Sequence, residues 1–227
     1  MKNRLVVLVI MILAFVVTGC QPKEAMCNPN HEFKVGMITD VGGIDDRSFN
    51  QGTWEGIVRF GRAYQLCEGE GYRFIQSMSD AEYVPNLSAL AEEGFDLIVA
   101  AGFLFNDALN EVAPKFPNQK FLVIDTVVDQ PNVKSVLFAE HEGAYLVGVA
   151  AAHKAKADGK NTVGFIGGME SEVIHRFEAG FVAGVKSVDP NLTILIDYAN
   201  SFDDDAKGQT LAAKQFDEGA YIIMHAA

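Results

Sequence analysis

Phe33-Lys-Val-Gly-Met-Ile-Thr-Asp-Val-Gly-Gly-Ile-Asp-Asp-Arg-Ser-Phe-Asn-Gln51 changes character twice within a short span. Residues 35–38 form an apolar run of the length and β-branched content expected of a buried parallel strand. At Asp40 the chain turns polar, and Gly42-Gly43 opens backbone conformations closed to other residues. Asp45, Asp46 and Ser48 then offer caps for a helix starting near Phe49. A strand end, a loose loop and a helix start together describe the carboxyl edge of an α/β sheet, where such folds bind ligands. The plain alternative is an ordinary βα connection that touches no ligand.

Outward from this stretch the chain alternates. A helix is expected over 49–66, with Trp54, Ile57, Val58 and Tyr64 near helical spacing, then a strand over 72–75. A helix over 83–93 ends at Gly94, a strand over 95–102 is closed by glycine, and a helix over 106–113 is stopped by Pro114. Strands follow over 120–125 and 134–138, the latter with no obvious helix before it. The longest helical segment, 140–157, carries Ala144, Val147, Gly148, Ala151 and Ala152 on one small-residue face. The alternation then restarts, with strands over 162–166, 192–197 and 221–224 and helices over 172–188 and 205–216. Such alternation means βαβ units on parallel sheets with right-handed crossovers. The expected fold class is α/β with two Rossmann-like lobes, 33–158 and 159–227, the turn at Asp158-Gly159-Lys160 dividing them. The second lobe has only three expected strands and reads as incomplete, with apolar edges left uncovered.

The 227 residues suffice for a substantial core, and nearly half are apolar. A formal charge of −12 argues against a nucleic-acid polymer as partner, because a phosphate backbone would be repelled. A neutral nucleoside is not disfavoured on that ground. Residues 1–20 stand apart: Lys2 and Arg4 precede an uninterrupted apolar run over 5–17, shorter than the roughly 20 residues of a spanning helix. The run ends in Val17-Thr18-Gly19-Cys20, so 1–20 reads as a secretory signal that resembles a lipobox, with lipid attachment at Cys20. Residues 21–32, with two prolines and no apolar pattern, read as a tether.

Cys27 and Cys67 remain once Cys20 is lipidated. An oxidising compartment permits their pairing, provided the Cα atoms lie within about 7 Å. Cys67 equally suits a small buried hydrophobe. No G-x-S-x-G, H-E-x-x-H, Walker A or G-x-G-x-x-G motif occurs, and the five histidines have no metal-ligand spacing. His141 between Glu140 and Glu142 reads as a solvated helix start, and Asp203-Asp204-Asp205 as carboxylates favouring a helix N-terminus. Neither a metal nor a cofactor is implied.

Thr39-Asp40 followed by Asp46-Arg47-Ser48-Phe49-Asn50-Gln51 resembles the signature of the basic membrane protein family of bacterial substrate-binding lipoproteins. Val123-Ile124-Asp125, Phe165-Ile166-Gly167-Gly168-Met169 and Arg176-Phe177-Glu178-Ala179-Gly180-Phe181 agree with it, in the family's order over nearly the whole chain. The resemblance implies two lobes of the type I periplasmic-binding kind that shut on a purine nucleoside. It also implies delivery to the membrane subunits of an ABC transporter and anchoring to the membrane through lipid. Family members run on well beyond position 227, so the sequence reads as C-terminally truncated.

Polar or glycine-rich residues recur directly after the expected strands, at Asp40, Gly102, Asp125, Gly167-Gly168 and Asn200-Ser201. In two doubly wound lobes these ends face each other across a cleft. Phe49 and Phe202 both follow polar loops instead of sitting inside apolar runs, one ring per lobe, and are expected to sandwich a flat ligand. Burial of both in the core is the competing account. The resemblance places Phe49 at the family's stacking position, Asp40 and Asn50 at the base edge and Asp125 at the ribose diol. Local sequence alone would give Asp40 and Asp125 only capping roles. Met169 offers an adaptable apolar wall. Three rival functions share these residues: a sugar-binding protein of the same fold, a surface nucleoside hydrolase acting through Asp40, Asp45 and Asp46, and a surface adhesin.

Overall fold

Strand β1, Val35–Thr39, is buried along its whole length, as its apolar run requires. The computed structural model describes residues 27–227; the leader, Cys20 and the start of the tether lie outside the described residues. β1 pairs in parallel with β2 (Tyr72–Gln76) on one side and β3 (Leu97–Ala100) on the other. Adding β4 (Lys120–Ile124) and β5 (Val133–Val136) completes a parallel sheet of order β2-β1-β3-β4-β5. Side chains alternate across it. Val35 and Met37 pack with Ile57 and Trp54 of helix α1 (Phe49–Ala63). Ile38 faces the opposite side, against α2 (Tyr83–Glu92) and α3 (Asn106–Val112) through Leu87, Leu90 and Leu109. Both faces are covered, which is why the strand reads as continuously apolar and not as alternating.

The second sheet has order β7-β6-β8, all parallel, with fully buried β6 (Thr162–Gly167) between β7 (Thr193–Tyr198) and β8 (Ile223–Ala226). Helices α4 (Glu140–Ala157), α5 (Glu172–Val188) and α6 (Asp205–Asp217) accompany it. The expected boundary at 158 put α4 in the first lobe, yet α4 packs in the second. Ala144, Ala151, Ala152 and Ala155 share one buried cluster with Phe165, Phe181 and Val185. The crossover therefore lies at 137–139, and the turn at 158–160 is internal to the second lobe. The cause is glycine on both helices. A Cβ at Gly148 would stand 2.2 Å from the Phe181 carbonyl oxygen, and one at Gly184 would stand 2.1 Å from that of Tyr145. A small face on α4 announces close packing; only its match to Gly180 and Gly184 on α5 names the partner.

Other boundaries shift modestly. The last strand begins at Ile223, not 221, although the Tyr221 amide already donates to the Thr162 carbonyl of β6 at 3.0 Å; the Tyr221 hydroxyl donates to Asp158 Oδ2 at 2.6 Å. β5 stops at Val136, leaving Leu137 and Phe138 exposed. Cys27 and Cys67 form a disulfide with Cα atoms 4.9 Å apart. It ties the segment before β1 to the turn after α1, where Asn28 N also donates to the Gln65 carbonyl at 2.7 Å.

Candidate ligand-binding site

The loop after β1 is organised by two carboxylates with different tasks. Asp46 caps α1: its Oδ1 accepts from Ser48 N (2.8 Å) and Gln51 N (2.9 Å), its Oδ2 from Asn50 N (3.0 Å). Ser48, also expected as a cap, makes no side-chain capping bond. Asp40, half-buried at the end of β1, accepts from Gly42 N at 2.9 Å and from Asn50 Nδ2 at 2.7 Å, both on Oδ1. Gly43 takes φ 65°, the conformation for which the glycine pair was singled out. The outcome is a first helical turn that presents Phe49 40% exposed, its ring 6.3 Å from that of Phe138 and tilted by 37°.

Asp125 follows β4 directly, in the left-handed region at φ 64°. Its amide donates to the Val136 carbonyl at 2.9 Å, so neighbouring β5 holds it in place. The carboxyl is buried and its pKa is pushed up to about 6, first by burial and then by the charge of Glu140, with Arg176 pulling the other way. Asp125, Phe49, Phe138, Ala139, Glu140 and Phe177 line one cavity of about 310 Å³. It lies between the lobes: Phe49 and Asp125 come from the first, Glu140 and Phe177 from the second, with the crossover residues between them.

The remaining expected residues gather elsewhere. Phe202, 42% exposed, meets Phe103 edge to face at 5.9 Å, a contact between lobes. It also lies over Gly168, where any Cβ would strike the ring at 2.2 Å. Met169 comes next in the chain and is 37% exposed. Phe49 and Asp125 are thus brought together in the cavity, and Asp40 and Asn50 are bonded to each other. Phe49 and Phe202 are not paired: each belongs to a separate aromatic couple.

Three residues of the cavity, Phe138, Glu140 and Phe177, are not among the site residues expected from the sequence. Phe138 closes the strand expected over 134–138, and Phe177 lies within the family-like segment 176–181. Glu140 is a correction. Read as part of a solvated helix start, it is only 7% exposed and its Oε1 accepts from Arg176 Nε at 2.5 Å. The acidic run before α6 behaves as expected, Asp204 accepting from Lys207 N at 2.9 Å. Among the described residues no three His, Cys, Asp or Glu side chains converge to hold a metal ion. Asp46 engages both oxygens with backbone amides, and the Asp40, Asp45, Asp46 set does not form a centre. No helix among the described residues is long and apolar enough to cross a membrane.

A family model described as ABC transporter substrate-binding protein, PnrA-like, matches residues 33–227. The chain is 44% identical over 207 residues to a CD4+ T-cell-stimulating antigen of Listeria monocytogenes, covering 90% of this chain and 57% of that protein. It is 41% identical over 233 residues to the ABC transporter nucleoside-binding protein BmpA of Lactococcus lactis, covering 100% of this chain and 66% of that one. Among solved structures, an ABC transporter solute-binding protein of Aeropyrum pernix superposes with a TM-score of 0.78 at 32% identity. That superposition covers 86% of this chain and 55% of the other. The chain therefore spans between about half and two thirds of the length of these relatives.

Proposed function

The chain belongs to the PnrA-like family of ABC transporter substrate-binding proteins, and on that premise we propose that it captures a purine nucleoside between its lobes for uptake by an ABC transporter. One observation carries the reading: Phe49, at the start of α1, and Asp125, just after β4, line a single interlobe cavity with Phe138 and Phe177. An aromatic wall suits a flat base, and a buried carboxylate suits a diol that donates two hydroxyl protons to it. The name of the lactococcal relative points the same way. Asp40 with Asn50 would meet the base edge, and Phe202 with Met169 would approach the ligand from the second lobe as the lobes shut. Cys20 would carry the lipid that keeps the protein at the outer face of the cell membrane, beside the transporter's membrane subunits. Binding makes and breaks no covalent bond.

Calorimetric titration with inosine, guanosine, adenosine, uridine and ribose tests this. The expected result is binding of the purine nucleosides with no displacement by ribose. Displacement of inosine by ribose at similar concentration would favour the sugar-binding alternative.

A further inference from the structure

Glu140 is the first residue of α4, placed where the chain has just crossed between lobes. Its side chain is only 3% exposed, and its two oxygens differ in circumstance. Oε1 is held by Arg176 Nε at 2.5 Å, while Oε2 is buried with no hydrogen-bond partner among the described residues. Arg176 is itself shared, with Glu172 Oε2 4.0 Å from its Nη1. The guanidinium thus fixes one edge of the Glu140 carboxylate and leaves the other unmet. A buried acceptor without a donor is unfavourable until something supplies one.

The cavity provides the place for a donor. Glu140 and Asp125 both border it, and the charge of Glu140 adds to burial in raising the pKa of Asp125. Two carboxylate residues bordering a space otherwise walled by Phe49, Phe138, Ala139 and Phe177 ask for a ligand with adjacent donors at one end and an apolar plane at the other. We infer that Glu140 is a second carboxylate acceptor for the bound molecule, acting with Asp125 to select a vicinal diol. Arg176 serves as the positioning residue that aims it. Rejection of ligands lacking the hydroxyls follows, because a site built around buried acceptors disfavours a partner that leaves them unpaired.

The inference rests on the nucleoside reading, and the experiment separates the two. Inosine and 2′,3′-dideoxyinosine are titrated into the intact protein and into Glu140→Gln, with thermal unfolding followed in parallel. The wild type is expected to prefer inosine by at least about tenfold, and Glu140→Gln to lose most of that preference through weaker inosine binding, since charge-assisted bonds are the strong ones. If the variant does not fold, Glu140→Asp replaces it, keeping the charge for Arg176 while withdrawing the acceptor from the cavity. A loss confined to inosine supports the assignment. An unchanged preference, or equal losses for both ligands, overturns it while leaving the nucleoside reading intact. Failure of the wild type to bind inosine overturns both.

Discussion

Asn50 Nδ2 donates to Asp40 Oδ1 at 2.7 Å, so a carboxamide in the first turn of α1 holds the carboxylate that ends β1. Asn50 is 2% exposed and its own Oδ1 is buried without a partner among the described residues. The two residues form one unit, in which Asn50 aims Asp40. Asn50→Ala is expected to lower stability by about 1–3 kcal/mol, the range for breaking a buried bond, and to weaken nucleoside binding as well. Equilibrium unfolding with calorimetry checks both; normal affinity in a folded variant would mean that Asp40 needs no such anchor.

Phe49 is exposed to the cavity and rests on Phe138, outside the buried clusters of the first lobe. Phe49→Ala should reduce nucleoside affinity by at least about tenfold, within the roughly 1–3 kcal/mol of a stacked base. The unfolding midpoint should barely move. A large fall in midpoint with unchanged affinity would assign the ring to packing.

Asp125 carries its proton to about pH 6, whereas an unfolded aspartate titrates near 3.8. Between those values the folded state binds more protons, so stability rises as pH falls from 7 towards 4. Asp125→Asn removes the buried charge and suits the left-handed backbone at this position. It should stabilise the protein at pH 7 by roughly 2–3 kcal/mol and flatten the pH dependence between 4 and 6. Ligand affinity should fall in the variant, and in the wild type below about pH 6 as the acceptor is protonated. Denaturant titrations at pH 4.5 and 7 show whether the signs are right.

Gly184 lets α5 touch α4 backbone to backbone, with Tyr145's carbonyl oxygen 2.1 Å from where a Cβ would be. That oxygen belongs to a helix and has no room to retreat. Gly184→Ala should destabilise by about 3 kcal/mol, the upper part of the overpacking range. Gly208→Ala, inside α6 where a Cβ meets open space, is the control and should stabilise by about 0.5–1 kcal/mol, since alanine suits a helix interior better than glycine.

The Cys27–Cys67 bond closes a loop of sequence separation 40 outside the ligand cavity. Reduction, or replacement of both residues by alanine, should remove roughly 3–4 kcal/mol and lower the midpoint by about 10 °C. Nucleoside affinity measured well below that midpoint should be unchanged.

Local chemistry made much of this protein legible from residues alone. Strand β1 is apolar because helices cover both its faces, and the loop after it is polar because it opens at a sheet edge; each property is written within a few positions. The alternation of strands and helices, the capping role of Asp46 and of Asp204, and the exposure of Phe49 and Phe202 are of that kind. Other matters depend on pairs of distant positions, and those only folding decided. The small face of α4 fits Gly180 and Gly184 on α5, which moved the helix into the second lobe. Cys27 meets Cys67 because the turn after α1 returns to the start of β1. Phe202 lies on Phe103 instead of facing Phe49, since the lobes' relative placement sets which rings meet. Glu140 looked solvated beside His141 and Glu142, yet Arg176, far along the chain, draws it into the interlobe cavity. Burial and pairing are properties of the assembled surfaces, and no window of sequence contains them.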